Sequence, residues 1–159
     1  MGVDIHCFVE ARWRDDDAGW QSVAQFDLPR DRDAFGRIAG IQGVEAVFPA
    51  RGLPPGLGYS ADKACHLWVA DDMAEHQGWC SRAEAEKWIA DGQTQWVEPN
   101  RILDPDFFGF TWLTLSEWSS AIEAPAPYGA GVEYLAVAGA MKELERGGYL
   151  SRVVIWFDA

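Results

Sequence analysis

The sequence predicts an α+β fold: a single mixed, mainly antiparallel sheet with an N-terminal hairpin, a C-terminal strand and about four helices packed on it. Two β-type runs stand at the ends of the chain, Val3 to Trp13 and Tyr149 to Phe157, with helix signals between them. The 159 residues, 48% hydrophobic and 24% charged, fit one globular domain spanning 1–159. That length buries a core without disulfides or a structural metal.

Each element has its own signal. Val3, Ile5, Cys7, Val9 and Ala11 fall on one face of the first run, and Asp4, His6, Glu10 and Arg12 on the other, which describes a half-buried strand. The polar turn Asp15 to Gly19 leads into a second strand, Trp20 to Phe26, and so a hairpin. Pro29 breaks the chain, and a short helix starts near Asp31 with Phe35, Ile38 and Ala39 at helical spacing. Residues 49–60 hold three Pro and three Gly and read as a long surface loop of the kind that carries function. Cys65 to Val69 and Thr94 to Val97 have strand composition, and Glu98 to Phe110 reads as loop. Ser81-Arg82-Ala83-Glu84 and Thr114-Leu115-Ser116-Glu117 are capping boxes that open helices, the first ending at Gly92 and the second before Pro125. A helix from Gly131 to Arg146 presents Val132, Leu135, Ala136, Met141 and Leu144 as its apolar face. The closing strand, Tyr149 to Phe157, is β-branched and aromatic and must be well buried.

Charge narrows the partners. With 25 acidic against 13 basic side chains the net charge is −12, which repels nucleic acid and anionic membrane surfaces. No stretch reaches the ~20 apolar residues that span a bilayer, and the first residues have neither the basic nor the apolar region of a signal peptide. Three cysteines, an odd number, point to a reducing compartment, so a cytoplasmic location is expected.

Six landmarks run in order along the chain: Met-Gly-Val-Asp-Ile-His at the start, Arg30 to Phe35 with Ile38 to Ile41, Pro49 to Pro54, Asp104-Pro105-Asp106, Thr111 to Thr114, and Val153 to Asp158. Together they resemble a family of small phage and prophage proteins. The resemblance covers the whole chain and implies a phage-type setting and a shared fold rather than a chemistry. The chain departs from the family pattern at Phe107 to Phe110, where a His is usual, and at Gln42, where an Arg is usual.

The sharpest local feature is Asp4-x-His6, which places a carboxylate and an imidazole on one strand face about 7 Å apart at Cα. These two are the candidate catalytic residues. Arg30, Arg37 and Arg51, with guanidinium groups suited to carboxylates or phosphates, form the candidate ligand-binding set with Asp104 and Trp112. Cys7, Cys65, His66, His76 and Cys80 match no zinc-knuckle spacing, and no metal ion or cofactor is assigned. There is no Gly-x-Ser-x-Gly elbow, and the prolines of Arg51 to Gly56 remove amides that a phosphate cradle needs.

Two readings follow. In the preferred one the chain is a phage-type accessory protein that binds a host protein, another host macromolecule or a small anionic ligand, as a counter-defence or inhibitory factor would. Trp68, Trp79, Phe107, Phe108 and Phe110 would then be its anchors. In the alternative it is a hydrolase or nucleotide-processing enzyme for a phosphate-containing substrate, centred on Asp4 and His6. Convergence of Asp4, His6, Arg30, Arg51 and Asp104 in one cleft favours an enzyme or ligand pocket; scatter favours a protein binder.

Overall fold

The computed structural model describes residues 2–15, 19–72, 76–123 and 131–159. In chain order the first half contains β1 (Asp4–Trp13), β2 (Gln21–Phe26), α1 (Arg32–Ala39), α2 (Tyr59–Cys65), β3 (His66–Ala70) and β4 (Trp79–Ser81). The second half contains α3 (Arg82–Ala90), β5 (Trp96–Glu98), β6 (Arg101–Leu103), β7 (Phe108–Leu113), α4 (Leu115–Ile122), α5 (Val132–Arg146) and β8 (Tyr149–Asp158).

The fold is α+β, but among the described residues it has two four-stranded sheets and five helices in place of one sheet and four. The first sheet, in the order β2-β1-β8-β7, is antiparallel throughout. The two chain ends meet in it as expected: β1 and β8 pair from Asp4↔Asp158 to Trp13↔Tyr149. Residues 153–157 of β8, all buried, occupy a central strand, which demands apolar side chains on both faces. One face sends Ile5, Cys7, Val9, Val153, Ile155 and Phe157 beneath α1, α4 and α5. The second sheet runs β4-β3-β6-β5 and is mixed, because β3 and β4 are parallel while the other pairs are antiparallel. Its small core, Val69, Cys80, Ala85 and Ile102, lies under α3.

The capping boxes are where the sequence placed them. Ser81 and Thr114 accept from the backbone N–H groups of Glu84 and Glu117, and each Glu returns to the cap amide. Asp31 caps α1. Pro125 and the middle of the Asp15–Gly19 turn lie outside the described residues. β3 and β5 overlap the strand composition at Cys65–Val69 and Thr94–Val97, whereas β4 and β6, three residues each, are too short for alternation to declare itself, and the second sheet was not expected. Thus the stretch read as loop from Glu98 to Phe110 contains β6 and the start of β7, and the long loop at 49–60 runs into α2. The buried stripe of α5 is Tyr134, Val137, Ala138 and Met141, while Val132 and Leu135 are exposed. Tyr134 sets this rotation: its hydroxyl donates to the Pro29 carbonyl, and its own carbonyl accepts from the Trp118 indole.

β1 is covered on both faces rather than half-buried. Glu10 and Arg152, opposite one another on β1 and β8, are 0% and 3% exposed. Arg152 Nε donates to Glu10 Oε1 at 2.9 Å, and its two terminal nitrogens donate to the carbonyls of Pro55 and Gly56. The Gly58 amide donates to Glu10 Oε2 at 2.6 Å. The ion pair therefore straps the Pro-Gly segment onto the sheet. Gly58 has to be glycine, since a Cβ there would lie 2.6 Å from Glu10 Oε2 and 2.7 Å from the Ser22 amide. Beside the strap, Phe8, Val154 and Trp156 meet Ala61 and Cys65 of α2.

Candidate functional site

Asp4 and His6 stand near the end of the first sheet, where β1 starts and β8 finishes. Asp4 is hydrogen-bonded to Arg30 rather than to His6. Arg30 holds it with two hydrogen bonds of 2.6 and 2.8 Å, which keeps its carboxyl below the usual range. The guanidinium lies over Gly2, where a Cβ would stand 2.0 Å from Arg30 Nη1, so the glycine of the Met-Gly-Val-Asp start makes room for this pair. His6 bonds Asp158 instead, with Nε2 and Oδ2 3.1 Å apart. Its ring stacks on Trp156 at 5.5 Å and tilts against Phe107 at 4.9 Å.

The other predicted residues are dispersed. Arg51 binds both oxygens of Glu117 and the Trp112 carbonyl, and its guanidinium lies 4.7 Å from the Trp112 ring. That contact clamps the Pro49–Pro54 segment to the cap of α4 and holds the Glu117 carboxyl down to about 2. Trp112 pairs with Val154 of β8, four residues along that strand from the partner of Asp4. Arg37 donates to the Ala121 carbonyl and ties α1 to α4. Each of the three arginines thus already holds an acceptor of this chain.

Of the predicted set, Asp104 lines both of two clefts that the other six residues do not border. The first, about 810 Å³, lies between the strapped Pro-Gly segment and the edge of the second sheet around Gln93 to Gln95. The second, also about 810 Å³, opens between α2 and the pair Trp68 and Trp79. His66, Asp104 and Phe107 border both. Burial pushes the Asp104 carboxyl above its usual value; the Asp106 amide, donating at 3.0 Å, opposes this, and the charges of Asp106 and Asp158 add to it.

Three residues at this junction were not expected from sequence. His66 Nδ1 stands 2.7 Å from the Asp62 carbonyl oxygen, an acceptor, and 3.2 Å from Arg101 Nη2, a donor. Arg101 donates to the Asp62 carbonyl and carboxylate, and it lies 5.0 Å from the Trp68 ring. Cys65 Sγ lies 3.3 Å from His66 Nδ1, but burial lifts its thiol to about 12, so it is no thiolate nucleophile. Among the described residues no three His, Cys, Asp or Glu side chains converge as a metal-binding group. Also among them, no helix is long and apolar enough to cross a membrane.

The aromatic anchors divide in two. Trp68, Trp79 and Phe108 are exposed by 44%, 42% and 37%, whereas Phe107 and Phe110 are partly buried against Trp156. All three cysteines are unpaired and buried. Comparison of the chain with protein-family models, with curated proteins and with solved structures finds no match.

Proposed function

We propose that the protein is a phage-type accessory protein that binds a host macromolecule in the host cytoplasm, as a counter-defence or inhibitory factor, through the paired clefts around Phe107. The observation that carries this reading is the contrast between engaged and open groups. Asp4, Arg30, Arg37 and Arg51 are held by partners within the chain, while Trp68 and Trp79 stand together at the mouth of a cleft with two-fifths of their surface in solvent. Large, partly exposed aromatics beside a recessed pocket are the side chains that supply most of the energy at protein interfaces. The small-anion arm of the reading loses its support, because none of its three arginines borders either cleft.

The hydrolase reading required Asp4, His6, Arg30, Arg51 and Asp104 to share a cleft, and of these Asp104 is the one that borders either of the two clefts around Phe107. The test is affinity capture from bacterial lysate with crosslink mapping. Capture is expected to fail for the Trp68→Ala/Trp79→Ala double variant and to survive in Arg30→Ala, with crosslinks on the β3–β4 face. Turnover of a nucleotide or cyclic dinucleotide by the wild type, lost in Asp4→Ala, would overturn the proposal in favour of the enzyme.

A further inference from the structure

Resting on the binding reading, the inference concerns what the clefts accept. We infer that the groove around Phe107 takes a lysine or arginine side chain from a basic segment of the partner protein, with Asp104 as counter-ion and Trp68 and Trp79 as walls.

Asp104 is the first support. It sits where the two clefts meet, and the only hydrogen bond to its carboxylate among the described residues is the one from the Asp106 amide. No lysine, arginine or histidine forms an ion pair with it among those residues, in a chain where Asp4, Glu10, Asp62, Asp71, Glu117 and Glu143 all have arginines. Asp106 and Asp158 nearby carry the same sign, and His6 is the one opposing group. A half-buried carboxylate in that setting gains when a cation is brought to it.

The walls are the second support. Trp68 and Trp79 face one another across the parallel β3–β4 pair with ring centroids 6.1 Å apart. The aromatic surfaces of this region already attract cations from within the chain: Arg101 lies 5.0 Å from the Trp68 ring and Lys63 lies 6.0 Å from that of Tyr59. Trp79 has no such cation among the described residues. A flat ring face beside a recessed carboxylate is a combination that recognises an ammonium or guanidinium group. The net charge of −12 steers a basic partner towards the molecule and an acidic one away. Lys63, at the rim of the second cleft, is the one lysine or arginine bordering either.

That lysine gives the test its sign. Tryptophan fluorescence and calorimetric titration with short polylysine, polyarginine and polyglutamate peptides measure the preference. A basic peptide is expected to bind more weakly as salt rises, and polyglutamate not to bind. Asp104→Asn should weaken the basic peptide by about tenfold, the scale of one charge-assisted contact. Glu86→Gln, an exposed charge-matched change on α3, should leave it within about twofold. Trp79→Ala should weaken it as well, and Lys63→Glu should strengthen it.

Equal effects of Asp104→Asn and Glu86→Gln would reduce the binding to general attraction and overturn the inference. Weakening by Lys63→Glu would overturn it too, and that exposed site keeps the test usable if Asp104→Asn fails to fold. If no basic peptide binds while lysate capture still depends on Trp68 and Trp79, the partner has another chemistry, and the binding proposal stands without this inference. If capture is also independent of both tryptophans, the two fall together.

Discussion

In the first sheet Trp156 and Phe8 stack inside the molecule at 5.0 Å, whereas in the second Trp68 and Trp79 meet with much of each ring in solvent. The charged side chains follow the same division. Glu10 and Arg152 of the first sheet satisfy each other and the backbone of the Pro-Gly segment beneath it. Asp104, leaving the second sheet after β6, has no ion-pair partner among the described residues. One region uses polar groups to close the structure, and the other keeps them beside open space. That contrast is why the proposed binding surface is set at the half-exposed Trp68 and Trp79 of the second sheet rather than at Asp4 and His6.

The comparison predicts unequal costs of mutation. Arg152→Met leaves the Glu10 carboxylate fully buried with only the Gly58 amide to meet it, and strips the donors from two carbonyls. Such a change is expected to cost about 3–5 kcal/mol, a large part of the about 5–15 kcal/mol that holds a domain together. Urea denaturation should show a lower midpoint, and a Glu10→Leu/Arg152→Met double variant should recover part of the loss. Trp79→Ala, on the open face, should cost no more than about 1 kcal/mol while removing partner capture. Equal costs at the two sites would mean that the second sheet depends on Trp79 as the first does on Arg152.

What the sequence made legible follows the length and regularity of each signal. Ten-residue β1 and β8, with strict alternation in one and a contiguous apolar run in the other, disclosed both the chain-end pairing and the α-helical layer over it. The capping boxes marked α3 and α4 because their chemistry is local. The other face of β1 was hidden, since Glu10 reads as solvent-facing until Arg152, 142 residues away, is seen opposite it. An alternating strand with a carboxylate on its polar face and a basic residue in an otherwise apolar central strand was the signal that could have found the pair. At the site, Asp104 was legible only as part of a resemblance. His66 and Arg101 are brought together by strand pairings of two or three residues, and nothing in their spacing announces a groove.

The two regions also respond oppositely to acid, at smaller scale. Glu117 is held down to about 2 by Arg51, well below the ordinary 4.5 of a glutamate. The unfolded chain takes up that proton first, so the stability it contributes is fully present above about pH 4.5 and is lost as pH falls towards 2. Asp104 has the opposite sign. Its carboxyl, raised above 3.8 mainly by burial and further by Asp106 and Asp158 against His6, binds a proton more readily in the folded chain. Its ionised form therefore costs stability near neutrality, and the cost is relieved on acidification. Thermal melts of Glu117→Gln should show a shallower fall in stability between pH 5 and 2, and those of Asp104→Asn a small gain at pH 7. A loss at pH 7 from Asp104→Asn would mark that carboxylate as part of the scaffold, and the two regions would no longer differ in kind.

The smallest expected effect belongs to Asp4, the residue that the sequence placed at the centre of a catalytic site. Its carboxylate and the guanidinium of Arg30 make a well-formed pair at 2.6 and 2.8 Å, but the side chains are 57% and 58% exposed. Water and salt screen the attraction on that surface, and ordering two side chains there offsets much of what remains. Asp4→Asn is therefore expected to leave the melting temperature unchanged within error, at low and at high salt, and to leave partner capture intact. His6 is not disturbed by the change, because its own partner is Asp158 and its ring rests on Trp156 and Phe107. Capture lost in a folded Asp4→Asn protein would move the functional surface from the open face of the second sheet to the end of the first. Asp4 and His6 would then have to be read as a working pair after all.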